Sequence, residues 1–151
     1  MTVIAPGPSS LAQGAKVSAV TNADISALKP GEFIWAPSLA PQGPMLMIVN
    51  LKAQQAYVYR NGVRIGASTV SSGKEGKDTP TGVFTILQKR EKHRSNIYNN
   101  ASMPHMQRLT WDGIALHAGN LPGYPASHGC VRLPPVFAQK LFAATSLGMT
   151  G

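Results

Sequence analysis

Cysteine is nearly missing from this chain: of 151 residues, Cys130 alone carries a thiol. A lone cysteine closes no intramolecular disulfide, so the fold does not rest on a disulfide framework, and its lack of a partner says nothing against an oxidising compartment. Acidic side chains are scarce as well, 6 against 14 Lys and Arg, and the formal net charge is +8. No run of about 18 apolar residues occurs, which excludes a transmembrane helix. Residues 1–13 contain no signal-peptide h-region. The chain therefore reads either as cytosolic or as a form that begins after a removed signal. No nucleic-acid-binding motif occurs, and Lys74, Lys77, Lys89, Arg90, Lys92 and Arg94 are scattered and do not line one helix. The charge suits polyanions in general: nucleic acid, an anionic membrane surface, or an anionic polymer such as a cell wall. A merely soluble basic domain would carry the same charge.

What is plentiful is Gly, with 15, and Pro, with 12, which point to a turn-rich chain of short strands. A hydrophobic fraction of 43% over 151 residues suffices for one domain with one core. The segment APGPSSLAQGAK reads as an irregular arm. TNADISALKPG predicts a short helix capped by Thr21 or Asn22 and stopped by Pro30-Gly31. EFIWAPSLAPQGP reads as an extended linker or edge segment, with a boundary near residues 40–44. From Met45 the texture changes. MLMIVNL predicts a strand, and QAYVYRNGVRIGAST predicts a hairpin turning at Asn61-Gly62, where both positions tolerate positive φ. Tyr57 and Tyr59 alternate along its first arm, as in ordinary strand packing. SSGKEGKDTPTG is a polar connection rich in backbone donors, and VFTILQK predicts one further strand. EKHRSNIYNNASMPHM is polar, irregular and long enough to be a functional loop. RLTWDGIALHAG predicts two short strands about Asp112-Gly113, and LPPVFAQKLFAAT predicts a helix with Val136, Phe137, Leu141 and Phe142 as its apolar stripe. No internal repeat occurs. The fold expected is mainly β, with one helix after the cysteine and one near the start.

The chemistry concentrates in IALHAGNLPGYPASHGCVRL. Cys130 is a small buried hydrophobe, a metal ligand or a nucleophile. His117, His128 and Cys130 would give a zinc ion only three ligands, with no CxxC spacing. A nucleophile fits more of the surroundings. A thiol attacks carbonyls as the thiolate, with a free pKa of about 8.5, so a cationic neighbour must favour that form. On an extended segment Arg132 projects to the same side as Cys130 and supplies it. Gly129 permits a tight turn and leaves N–H groups free for a developing oxyanion. His117, which ends a predicted strand, is the preferred base, because it approaches from another element. His128 is too close in sequence to point easily at the sulfur. The group orienting the imidazole need not be acidic: besides Asp112, the carbonyl of Ala118 or Gly119 would serve. His93 and His105, in the polar loop, are solvated or substrate-adjacent.

These residues resemble a known family. HAGNLPGYPASHGCVRL looks like the signature of the L,D-transpeptidases, the YkuD-type peptidoglycan enzymes: a His on a strand, a Gly-containing loop, then Ser/Thr-His-Gly-Cys-x-Arg. His117, Ser127, His128, Gly129, Cys130 and Arg132 match it, and Thr79, Pro80, Gly82 and Phe84 match the family's upstream Thr-Pro-x-Gly-x-Phe segment. MIVNLKAQQAYVYRNG looks like its first hairpin. The resemblance spans residues 45–148. It implies a β-sandwich with a short helix following the catalytic cysteine, an N-terminal arm over 1–40 packing on a catalytic domain over 41–151, and no cofactor or metal. It implies Cys130 as nucleophile, His117 as general base, and the carbonyl that follows as the orienting group. Gly129 and Cys130 N–H groups would form the oxyanion hole, with Ser127, His128 and Arg132 shaping the pocket or binding a substrate carboxylate. The partners implied are peptidoglycan stem peptides, donor and acceptor, in a periplasmic or other extracytoplasmic location. Carbapenems commonly acylate such enzymes.

The 93–113 loop resembles a proteobacterial branch linked to 1-3 cross-links, where the usual product is 3-3. Thr79, His93, Tyr98, Met103, His105, Trp111 and Tyr124 are the substrate-binding candidates on this resemblance, although a variable surface excursion explains the loop equally well. The chain departs from the family pattern in three places. Ala118 stands between His117 and Gly119. Pro134-Pro135-Val136 replaces an acidic residue in the helix. A closing strand is missing at the C-terminus, while Met1-Thr2-Val3-Ile4 reads like that strand, supplied by this chain or a neighbour, or displaced by truncation or permutation. Two competing functions keep the same residues: an L,D-carboxypeptidase or endopeptidase in which water resolves the thioester, and a non-catalytic wall-binding module. A depressed Cys130 pKa on thiol labelling would favour catalysis over the binding module.

Overall fold

Two sheets face each other across one apolar core. The structure is a computed structural model that describes residues 1–5, 19–95 and 101–147. The first sheet has six strands: β1 (Thr2–Ala5), β2 (Phe33–Trp35), β3 (Met45–Asn50), β4 (Gln55–Arg60), β5 (Val63–Thr69) and β6 (Val83–Thr85), in the spatial order β2-β5-β4-β3-β1-β6. The second has four: β7 (Gln88–Arg90), β8 (Met106–Arg108), β9 (Ala115–Ala118) and β10 (Val131–Leu133), in the order β10-β9-β8-β7. Helix α1 (Asn22–Ser26) precedes β2, and α2 (Pro135–Ala144) follows β10.

Alternation drives the sandwich. In β3, Met45, Met47 and Val49 are buried and Leu46, Ile48 and Asn50 are not, the period-2 pattern of a strand with one face on the core. Asn61 and Gly62 have φ of 51° and 77°, so the β4–β5 hairpin turns with both central residues left-handed, as its Asn-Gly pair predicts. The N-terminal residues do supply a strand within this chain: β1 lies between β3, antiparallel, and β6, parallel, with Val3 in the core. Phe137 of α2 is fully buried against Phe33 and Trp35 of β2, at ring distances of 5.5 and 5.8 Å. That burial is worth about 1.5–3 kcal/mol and fixes the helix that follows β10.

Several local expectations need correction. VFTILQK is two strands: the chain crosses between the sheets at Ile86 and Leu87, so β6 and β7 belong to different layers. Helix α1 ends at Ser26, before Pro30, after a capping box between Thr21 and Asp24. The edge reading of 33–39 holds: it is a paired edge strand followed by a 3-10 turn, held by the buried Arg60, whose Nε and Nη2 donate to the carbonyls of Ala40 and Pro37. Val136 is exposed, and Ala138 takes its place beside Phe137 and Leu141 on the buried face of α2. Residues 6–18, which hold most of the irregular arm APGPSSLAQGAK, lie outside the described residues. No helix among the described residues is long and apolar enough to cross a membrane.

Candidate active site

The four-stranded sheet sorts its side chains between two faces. Leu116, Ala118, Val131 and Leu133 enter the core. Their neighbours in sequence must face the other way. Register then aligns them. Arg132 pairs with His117, Arg108 with Ala115 and Gln88, and Met106 with Arg90. This outer face therefore carries His117 and three arginines, Arg90, Arg108 and Arg132. Cys130, two residues before Arg132, reaches the same face and packs with Met103, Met106 and Ala115.

The turn that presents Cys130 is closed on itself. The Ser127 hydroxyl donates to the Cys130 carbonyl and accepts from the Gly129 N–H at 3.1 Å. Gly129 has φ +127°, and a Cβ there would lie 3.0 Å from Ile114 Cδ1, so only glycine fits without strain. The expectation that the Gly129 N–H is free for an oxyanion is corrected: Ser127 already takes it. These bonds do not use the Cys130 N–H.

Thr79 braces the turn from below. Its hydroxyl accepts from the Gly73 N–H at 2.8 Å and donates to the Gly129 carbonyl at 2.6 Å. Thr79 was a substrate-binding candidate. It is buried, and its hydroxyl is engaged on both sides, so it is a positioning residue instead. Gly73 allows this close approach, since a Cβ there would come within 1.9 Å of the Lys77 carbonyl and 3.0 Å of Gly129 Cα.

His117 is 8% exposed, and its Nδ1 lies 2.8 Å from the Ala118 carbonyl. A carbonyl only accepts, so Nδ1 carries the proton and Nε2 is the ring's remaining acceptor. Gly119 does not orient the ring. It gives its N–H to Leu133, and its bare Cα lets the aliphatic stem of Arg132 pack on it. Burial holds the imidazole below its usual range, with Arg132 and His93 pushing the same way and the Ala118 bond opposing them. Cys130 is 5% exposed, and its Sγ donates to the Gly113 carbonyl at 3.3 Å. Burial pushes this thiol up, while the Ala115 N–H, Arg108 and Arg132 pull it down. Arg132 acts in the anticipated direction, but desolvation outweighs it, so the depressed pKa that would favour catalysis over a binding module is not the direction the fold gives Cys130.

Two cavities adjoin on this face, and Cys130 lines the first. One, of about 300 Å3, is lined by His117, His128, Cys130 and Arg132, with Ser127 at its floor. The other, of about 250 Å3, is lined by His93, Arg108, Trp111, Gly113 and Ala115. Ser95 and Met103 line both. His128 is exposed at the mouth of the first. Trp111 is 71% exposed beside the second. His105 does not line either cavity: its ring packs edge-on against Phe142 of α2, 5.5 Å away. Tyr124 is 62% exposed and is absent from both linings, contributing only its carbonyl, which accepts from Ser71. Tyr98 lies outside the described residues. Among the described residues, no group of three His, Cys, Asp or Glu side chains could hold a metal ion. Arg108 was not foreseen. It can be read as part of the site only once β8 is paired with β9.

The chain resembles known proteins over this same region. The sequence profile of the YkuD family, described as the L,D-transpeptidase catalytic domain, matches residues 44–150. An L,D-transpeptidase (Yku) from Stackebrandtia nassauensis superposes with a TM-score of 0.62 at 29% identity, covering 68% of this chain and 51% of its own. L,D-transpeptidase 1 from Mycobacterium tuberculosis superposes with a TM-score of 0.55 at 28% identity, covering 65% and 54%. An L,D-transpeptidase from Mycobacterium smegmatis, at 24% identity and a TM-score of 0.62 over 68% and 54%, shares the fold. The chain thus spans about half the length of these solved structures. No curated protein matches it. The profile match takes in both sheets' central strands, the braced turn and α2, and the chain belongs to the YkuD family of L,D-transpeptidase catalytic domains.

Proposed function

We propose that this protein is a peptidoglycan L,D-transpeptidase acting outside the cytoplasm, with Cys130 as nucleophile and His117 as general base. One observation carries the reading. A buried histidine, its Nδ1 fixed on the Ala118 carbonyl, shares a cavity with the chain's single thiol. That arrangement leaves Nε2 as an acceptor beside a proton donor.

The reaction follows from it. The Cys130 proton passes to His117 Nε2 as Sγ attacks the carbonyl carbon of a donor stem peptide. Negative charge on the tetrahedral oxygen is met by the Cys130 N–H and by the field of Arg108 and Arg132. The C–N bond breaks, the leaving D-amino acid takes the proton from Nε2, and a thioester remains. An acceptor amine then attacks, gives its proton back through His117, and leaves with the acyl group as a cross-link. Attack by water would give a carboxypeptidase with the same residues. The excess of basic residues suits an anionic wall polymer.

The test is mass spectrometry of products from disaccharide-tetrapeptide and disaccharide-pentapeptide, beside a Cys130→Ala control. Cross-linked dimers that vanish in the control are expected, with fragmentation deciding between 3-3 and 1-3 bonds. Shortened monomers alone would make the protein a hydrolase, and no product from folded, reduced protein would favour the binding module. His117→Ala should abolish acylation and His128→Ala should weaken it less. The reverse order would overturn the choice of base.

A further inference from the structure

The second cavity enters the chemistry above only through the field of Arg108, and that arginine is unusually placed. Arg108 is half-buried over an apolar floor of Met103, Met106 and Ala115. Its Nε donates to the neutral Gln88 side chain on β7 at 2.9 Å, and its guanidinium carbon lies 5.7 Å from the centroid of the Trp111 ring. Those two contacts fix the plane of the group and leave its terminal N–H donors directed elsewhere. Among the described residues no carboxylate pairs with it. A guanidinium partly removed from water without an anion is an uncompensated charge, and its planar end matches a carboxylate with two parallel hydrogen bonds.

Arg132, the arginine of the sequence motif, is differently employed. Its Nη1 and Nη2 donate to the carbonyls of Asn120 and Ala126 at 3.4 and 3.3 Å, and its stem covers Gly119. It ties the loop before the cysteine. Arg108 has the freer end, and the reacting sulfur is beside it: Sγ donates to Gly113, whose residue lines the Arg108 cavity together with Ala115.

We infer that Arg108, held by Gln88 and Trp111, forms a carboxylate-binding subsite across the thiol from His117, and that it selects stem peptides by a carboxylate close to the reacting carbonyl or amine. The inference rests on the transpeptidase reading for the identity of the peptide, not for the anion chemistry. Two sources fit: the terminal carboxylate of the donor's leaving D-amino acid, and the carboxylate beside the acceptor amine.

The experiment compares a tetrapeptide donor ending in a free acid with the same donor ending in an amide. The readout is the Cys130 thioester by intact-protein mass spectrometry across donor concentrations. A charge-assisted pair of this kind is worth roughly 10–100-fold. The wild-type protein should prefer the acid by that factor, Arg108→Gln should lose the preference by slowing more on the acid than on the amide, and Arg108→Lys should retain part of it. In a second arm, the preformed thioester is resolved by acceptors whose amine carries a neighbouring carboxylate or an amide. Loss of discrimination there places the carboxylate on the acceptor. Binding of the same acid and amide peptides to Cys130→Ala protein reads the subsite without chemistry. Acid selectivity that Arg108→Gln removes sustains the subsite even if the wild-type protein forms no thioester, and then the transpeptidase reading is what falls. Equal treatment of acid and amide by the wild-type protein in all three measurements overturns the subsite, and needs no variant to fold.

Discussion

The Thr79 brace gives a stringent test of how this site is built. Thr79→Val replaces a hydroxyl with a methyl of nearly the same volume, so it opens no cavity. It strands two buried groups at once, the Gly73 N–H and the Gly129 carbonyl, which now meet Oγ1 at 2.8 and 2.6 Å. Water cannot replace the hydroxyl easily. The space is so close that a single added Cβ on Gly73 would lie 2.9 Å from the Thr79 N and 3.0 Å from Gly129 Cα. Leaving a buried polar group unpaired costs about 1–3 kcal/mol, so the pair should cost about 2–6 kcal/mol in total, against a whole-domain stability of about 5–15 kcal/mol. Thr79→Ser keeps both bonds and loses one methyl, worth about 0.8 kcal/mol. Urea unfolding measures both, with the midpoint expected to shift at constant slope. Thioester formation should also fall by about tenfold or more in Thr79→Val, because Gly129 precedes the reacting residue and small misplacements are expensive in rate. A Thr79→Val protein within about 0.5 kcal/mol of wild type, or a Thr79→Ser protein as unstable as the valine variant, would refute the assignment.

Gly129→Ala should destabilise by about 1–3 kcal/mol, because φ +127° and contact with Ile114 Cδ1 both oppose a Cβ. Adding Ile114→Val should recover only the steric part in thermal melts. Arg60→Met should cost about 1–3 kcal/mol, since the carbonyls of Ala40 and Pro37 lose their buried donor. A melt unchanged from wild type would show that they find other partners. Stability should also narrow at both ends of the pH scale. The folded state holds His117 below its ordinary value of 6.5, so its contribution is lost as pH falls from there. It holds Cys130 above its ordinary 9.0, so that contribution is lost as pH rises beyond it. Cys130→Ala should flatten the alkaline limb of a plot of Tm against pH and leave the acid limb. Alkylation of Cys130 by a small neutral electrophile should rise with pH only on the alkaline side of 9.0, and Arg108→Gln should move that rise further up. A plateau at neutral pH would contradict the buried thiol.

What could be read in the sequence is what depends on near neighbours. Asn61-Gly62 fixes its own turn chemistry, so the hairpin it closes was legible. Ala118 is adjacent to His117, so the carbonyl that orients the imidazole was on a short list of two. The N-terminal strand was legible through the family resemblance, though not its place between β3 and β6. What failed depends on distant pairing. VFTILQK alternates like one strand, and nothing local reveals that Ile86 is where the chain changes layers. The Thr79 hydroxyl reaches a carbonyl fifty positions away, so Thr79 looked like a loop residue free to meet substrate. Arg90 and Arg108 join the outer face only through the registers of β7, β8 and β9. Tyr124 and His105 were candidates through the family resemblance; in the fold Tyr124 is exposed and the His105 ring packs against Phe142.

The corrected thiol state changes how the site must work. The sequence placed a cation near a thiol and so suggested a standing thiolate. The fold buries both partners, and burial disfavours charge on each: the thiol is pushed up and the imidazole down. Burial thus opposes a standing charge on either partner, and the sulfur's proton is donated to Gly113. With charge disfavoured on both, proton transfer that accompanies attack is the order the burial favours. In that order the arginines of the outer face contribute little to the resting state and most to the step in which charge forms on sulfur and on the attacked oxygen, where fixed charges act without reorganising. Arg108 stands ahead of Arg132 among the charges that favour the thiolate. An anion bound there would offset part of that help while holding the peptide in place. Selecting a carboxylate and activating the thiol thus draw on the same guanidinium, and substitutions at Arg108 should separate the two only when donors with and without the carboxylate are compared.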